Sequence, residues 1–130
     1  MTNNQQTQRW FIDLGWLEQH NRSFFTLVQD SLCSKCTERL RKGKKQFSPA
    51  DLIPNIRNCC SKTPEFITNK APVLYSIFRL FLANGNQPLS LEELSKKLAE
   101  WRGGDTQRTS VEVLSRLLSH DQYYGLKPAP

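Results

Sequence analysis

Four cysteines, spaced as Cys33-x-x-Cys36 and as the adjacent pair Cys59 and Cys60, are the residues of this 130-residue chain best suited to chemistry. Two thiols two residues apart can aim both sulfurs at one point when the backbone between them forms a knuckle, so that spacing recurs at tetrahedral zinc sites. The return pair is less regular. Adjacent helical residues point about 100° apart, so Cys59 and Cys60 can both ligate only where a helix ends or unwinds. If just one of them binds, His20 is the nearest candidate for a fourth donor. The expected cofactor is therefore zinc on Cys33, Cys36, Cys59 and Cys60. An iron–sulfur cluster is the alternative, because soft thiolates suit both, and four ordinary buried cysteines are the metal-free alternative.

The thiols coincide with the charge. Residues 33 to 62 hold Lys35, Arg39, Arg41, Lys42, Lys44, Lys45, Arg57 and Lys62 against Glu38 and Asp51, a surplus equal to the net charge of +6 for the whole chain. Lysines and arginines at this density displace condensed counterions from a phosphate backbone, which makes binding salt-dependent. A solvated, solubilising loop is the plainer account of the same run. Lys35, Arg39, Arg41, Lys42, Lys44 and Lys45 are the candidate phosphate contacts in this stretch. The favoured partner is nucleic acid, DNA ahead of RNA. Lys35, Arg39 and Arg57 are also placed to hold thiolates deprotonated and to offset the negative charge of a four-thiolate zinc centre.

Other chemistry finds little support in the residue types. His20 and His120 lie a hundred positions apart, no phosphate-cradling glycine loop is present, and catalysis needs a nucleophile with a base or an open metal position. A non-catalytic protein is expected, with His120 read as a helix C-terminal residue rather than the base of a pair with Asp121. No apolar run approaches the ~18 residues of a membrane helix, and the polar start lacks the features of a secretory signal. A soluble, cytoplasmic protein is expected, in which thiols serve metals more readily than disulfides.

The elements that must position these groups read as mainly α. Residues 1–8 are polar and aperiodic and are expected to be a disordered tail. Residues 9–70 form a basic, helical, cysteine-clustered metal module of no named family, and residues 71–130 a three-helix bundle, with the boundary in the connector at 61–72. Phe24, Leu27, Val28 and Leu32 predict a helix over about 22–32 that delivers the chain to Cys33. The basic run begins as a helical turn stopped by Gly43, and Ser48-Pro49-Ala50-Asp51 opens a further helix that Pro54 should bend. In the second half, Leu74, Ile77, Phe78, Phe81 and Leu82 make one buried stripe ended by Asn84-Gly85-Asn86. Ser90 to Glu93 is a capping box for a helix closed by Gly103 and Gly104, and Thr109 to Glu112 is a second box.

That second half resembles the winged-helix subclass of helix-turn-helix domains: Val73–Leu82 as first helix, Gln87–Ser90 as a short strand, Leu91–Trp101 and Thr109–Ser119 as second and third helices, Tyr123–Leu126 as the start of the wing. The resemblance implies DNA binding through the third helix. Its outward positions would include Arg108, Thr109, Ser110, Glu112, Ser115, Arg116 and Ser119, with Arg108 and Arg116 as candidate contacts. The near balance of charge in this half equally suits a protein partner or a homodimer. Two functions outside nucleic-acid binding stay open: an iron–sulfur redox or sensor protein, and an adaptor anchored by Trp10 and Trp16 if they are exposed.

Overall fold

Strand β1 (Arg9–Ile12) joins the two ends of the chain. It pairs antiparallel with β2 (Leu89–Ser90), Arg9 opposite Ser90 and Trp10 opposite Leu89, and with β3 (Leu126–Pro128), where Ile12 faces Leu126. The sheet order is β2-β1-β3. Burial alternates along β1, with Trp10 and Ile12 inside, as a strand half-covered by helices requires. Asn86 fixes its end: its side chain accepts the Ile12 N–H and donates to the Ile12 carbonyl, at 2.9 and 3.0 Å. Pro128 sits on an edge strand, where a missing donor is tolerated.

The computed structural model describes residues 8–43, 48–63, 65–104 and 107–130, without the side chains of Leu40 and Arg41. Lys44, Lys45 and the Arg41 side chain therefore lie outside the described residues. So does the expected tail apart from Gln8, whose amide donates to the Arg9 and Ala129 carbonyls.

The protein is mainly helical, with this small sheet. Helix α1 (Leu14–Gln19) is capped by Asp13, and α2 (Phe24–Val28) by Ser23, whose hydroxyl accepts the Thr26 N–H. The helix expected over 22–32 is thus shorter: its α-helical part ends at Val28, and a 3-10 turn (Gln29–Ser31) carries the chain to Leu32. Helix α3 (Ser34–Gly43) ends at Gly43 as expected, but runs for ten residues through the basic stretch rather than a single turn, its interior being rich in good helix formers. Helix α4 (Pro49–Asn58) keeps Pro54 inside it. Ala50 and Pro54 are both exposed, so the carbonyl deprived of a donor lies on the solvent side.

Helix α5 (Val73–Ala83) buries Ile77, Phe78, Leu80, Phe81 and Leu82 and is the centre of the core. Helix α6 (Leu91–Trp101) starts at the Ser90–Glu93 box and buries Leu91, Leu94 and Leu98. Helix α7 (Val111–Ser119) is capped by Ser110, one residue later than expected, its hydroxyl accepting the Val113 N–H. Arg102, 2% exposed, donates to the carbonyls of Thr68, Asn69 and Ala71 and to the Ser76 hydroxyl, so a cation packs the connector onto α5. Buried residues from β1 through β3, including Cys36 and Cys60, belong to one core cluster.

Candidate metal centre

Helix α3 begins at the first thiol. The Cys33 carbonyl accepts the Thr37 N–H at 2.9 Å and the Thr37 hydroxyl at 3.0 Å, so Cys33 stands at the capping position. From there its sulfur receives the Cys36 backbone N–H. Cys36, in the first helical turn, points inward and is 3% exposed. Opposite it, α4 ends: Cys59 leaves the helical conformation at φ −128°, ψ −68°, and Cys60 opens a 3-10 turn (Cys60–Lys62) fastened by the Thr63 hydroxyl on the Cys60 carbonyl. The helix thus stops where two adjacent thiols would otherwise diverge.

The sulfurs converge. Cys33 Sγ lies 3.3 Å from Cys59 Sγ and 3.4 Å from Cys60 Sγ, and the Cys33 N–H donates to Cys60 Sγ at 3.1 Å. The Cys33, Cys36 and Cys59 sulfurs all fall within 4.8 Å of one another, and the Cys60 thiol also contacts that of Cys36. All four are free, at separations far beyond a disulfide bond of about 2.05 Å. Four thiolates around one ion with Zn–S bonds of about 2.3 Å would sit about 3.8 Å apart. The two shortest separations, 3.3 and 3.4 Å, fall a few tenths of an ångström inside that value. The sulfurs are close enough together to hold a metal ion.

The thiols shape one another's ionisation. Burial pushes the Cys33 thiol up, but the Cys36 N–H and the thiols of Cys59, Cys60 and Cys36 outweigh it, leaving Cys33 at about 7 against an ordinary 9.0. Burial first, then contact with the neighbouring thiols, pushes Cys36 well above that value, and burial also raises Cys60. Cys33 thus ionises most readily of these three, and a cation bound among the sulfurs would favour the thiolates of Cys36 and Cys60. The leading influences on these shifts are burial and mutual contact, so the expected role of Lys35, Arg39 and Arg57 in holding the thiolates is not what dominates here. Arg57 lies instead over Gly85, 3.4 Å from where a Cβ would be.

Arg79 is the supporting residue that sequence reasoning missed. Its guanidinium donates to the Asp30 and Phe66 carbonyls and to the Tyr75 hydroxyl, tying the segments that flank Cys33 and Cys60 to α5. It stands beside a cavity of about 320 Å³ whose wall includes Cys33 and Cys60. A cation between Phe78 and Leu80 on an otherwise apolar helix was the available signal.

The remaining expected residues are dispersed. Lys35, Arg39 and Lys42 are exposed on α3 at i, i+4 and i+7, a single row. Arg108 and Arg116 are exposed at the two ends of the α7 segment, but Thr109 is fully buried and Ser110 is spent on the cap, so neither faces outward. His20 is not part of the thiol cluster: it stacks on Trp16 with its Nδ1 at the Trp16 carbonyl. His120 Nδ1 meets the Arg116 carbonyl, and the Asp121 carboxylate accepts the backbone N–H groups of Tyr123, Tyr124 and Leu126. Trp10 is 9% exposed, in the core rather than at a surface. No described helix is long and apolar enough to cross a membrane. Comparison with protein-family models, curated proteins and solved structures gives no match to this chain.

Proposed function

We propose that the protein is a non-catalytic, zinc-clasped nucleic-acid-binding regulator, with DNA as the first partner to test. One observation carries it: the helix anchored at its start by Cys33 and Cys36 presents Lys35, Arg39 and Lys42 in one exposed row. The only ion pair among the described residues is Arg9 with Glu93, so none of these three charges is neutralised by a described carboxylate. Cys33, Cys36, Cys59 and Cys60 would hold the zinc, which would supply a closed structural crosslink. Four thiolates leave no open position for catalysis.

The C-terminal half is proposed as a winged-helix-like unit. Its order of α5, β2, α6, α7 and β3 supports this, and β1 supplies the strand between β2 and β3. Arg108 and Arg116 would add contacts from α7.

The test uses the full chain, purified without added metal. Elemental analysis is expected to give one zinc per chain and a colourless protein, whereas iron with a visible absorption band would overturn zinc in favour of a cluster. Duplex binding measured against salt should then lose about three units of log–log slope when Lys35, Arg39 and Lys42 are all changed to Ala. An unchanged slope would remove the phosphate role of this row.

A further inference from the structure

We propose a second nucleic-acid contact, a stacking site for unpaired bases formed by His20, Arg22 and Tyr123 beside Trp16; it rests on the nucleic-acid reading above and names the form of strand recognised. One ring stack and one cation–π contact stand where α1 meets the turn before β3. In one, His20 lies on Trp16 with ring centroids 4.0 Å apart and planes 20° from parallel, and the His20 side is exposed. In the other, the Arg22 guanidinium lies 4.6 Å over the ring of Tyr123. Tyr123 is 49% exposed, the single large apolar side chain so exposed among the described residues.

The stacks are held in place. His20 Nδ1 is fixed by the Trp16 carbonyl at 2.8 Å, and the Arg22 backbone N–H by the Leu17 carbonyl at 2.9 Å. Lys127 adds a cation: its Nζ sits 4.6 Å from the Trp16 ring centroid and donates to the carbonyl of Asp121, two residues before Tyr123. Imidazole rings and guanidinium planes are the surfaces on which splayed bases stack, and a paired base cannot reach them.

The charge balance favours an anionic strand, and the exposed ring surfaces favour one that carries bases. Arg22 and Lys127 are the cations of the patch. Of the acids near it, Asp13 accepts the Trp16 N–H, Asp121 is 3% exposed with its carboxylate on three backbone N–H groups, and Glu18 projects from the opposite side of α1 by the helical period.

The test compares a labelled twelve-residue oligothymidylate with a mixed-sequence duplex on the zinc-loaded full chain. Tyr123→Ala and His20→Ala are each expected to weaken single-strand binding about tenfold. Tyr123→Phe should stay within about twofold of the parent, because the ring is kept. The salt slope and duplex affinity should not move, since neither alanine variant removes a phosphate contact, and unchanged duplex binding also reports an intact fold. Duplex binding without single-strand binding, or single-strand binding indifferent to both alanine variants, would overturn this site and leave the Lys35, Arg39 and Lys42 row standing. A chain that binds neither strand form would overturn both.

Discussion

Helices α3 and α5 are nearly equal in length, ten and eleven residues, yet opposite forces hold them. Helix α5 buries five large apolar side chains, each contributing about 1.5–3 kcal/mol on leaving water. Helix α3 buries Cys36 alone among its described side chains. An isolated helix of that length is marginal in water. What keeps α3 helical is its anchored first turn, where Cys33 caps, Cys36 points inward and the thiols of Cys59 and Cys60 close over both. The second half folds because its surface is apolar in the right rows, and the cationic row exists because sulfur holds one end of it.

The most severe way to break that contrast is to take away the zinc proposed for the four thiols. A structural zinc contributes on the order of 10–16 kcal/mol to small modules that need it. Chelation, or Cys36→Ser, is expected to lower amide-exchange protection over residues 34–43 and 59–62 sharply, without abolishing it, while α5 and α6 keep theirs. Phe78→Ala should do the reverse, lowering global stability by about 3–5 kcal/mol because the side chain is fully buried. Zinc affinity of the still-folded fraction should hold. If chelation melts α5 together with α3, the two regions are one cooperative unit and the contrast fails.

The same contrast explains what was legible in the sequence. Helices α5, α6 and α7 announce themselves through apolar spacing and caps, signals confined to about eleven residues, and their observed bounds lie within two residues of those expected. Strand β1 carries no such local signal: four residues become a strand only by pairing with partners near positions 90 and 127. The convergence of the thiols was half visible. The Cys33-x-x-Cys36 spacing implied a knuckle, but nothing local said that α4 would end at Asn58 and turn Cys59 and Cys60 onto it. Arg79 and Arg102 escaped notice because most of their partners are backbone carbonyls of distant loops, which any residue type supplies.

Alkali separates the regions more gently. In the metal-free protein Cys36 and Cys60 ionise less readily than in the unfolded chain, chiefly through burial, so their contribution is fully present below the unfolded value of 9.0 and is lost as pH rises above it. Cys33 has the opposite sign: held at about 7, it contributes above 9.0 and loses that contribution as pH falls through 7. The urea midpoint of chelated protein, followed by exchange at residues 59–62, is therefore expected to rise from pH 7 toward 9 and fall beyond it. Replacing all four cysteines by Ser should flatten this profile, and a profile that survives the replacement would assign it to groups outside the cluster.

The smallest effect is the most discriminating, because it asks the same question of two helix starts. The Ser90 hydroxyl accepts the Glu93 N–H at 3.2 Å, and the Glu93 carboxylate accepts the Ser90 N–H at 3.1 Å and pairs with Arg9 at 3.3 Å. That backbone N–H is the main reason Glu93 is held below the ordinary carboxylate value. Ser90→Ala should cost about 1 kcal/mol in urea unfolding and leave zinc affinity alone. At α4, both the N–H and the hydroxyl of Ser48 donate to the Asp51 carboxylate, and this helix delivers Cys59 and Cys60. Ser48→Ala frays a segment that bound metal re-forms, so its cost should surface in a zinc-competition titration rather than in the stability of the loaded protein. Equal losses of zinc affinity in the two variants would mean that the sheet and the thiol cluster share their stability, and that sulfur does not hold α3 independently of the core.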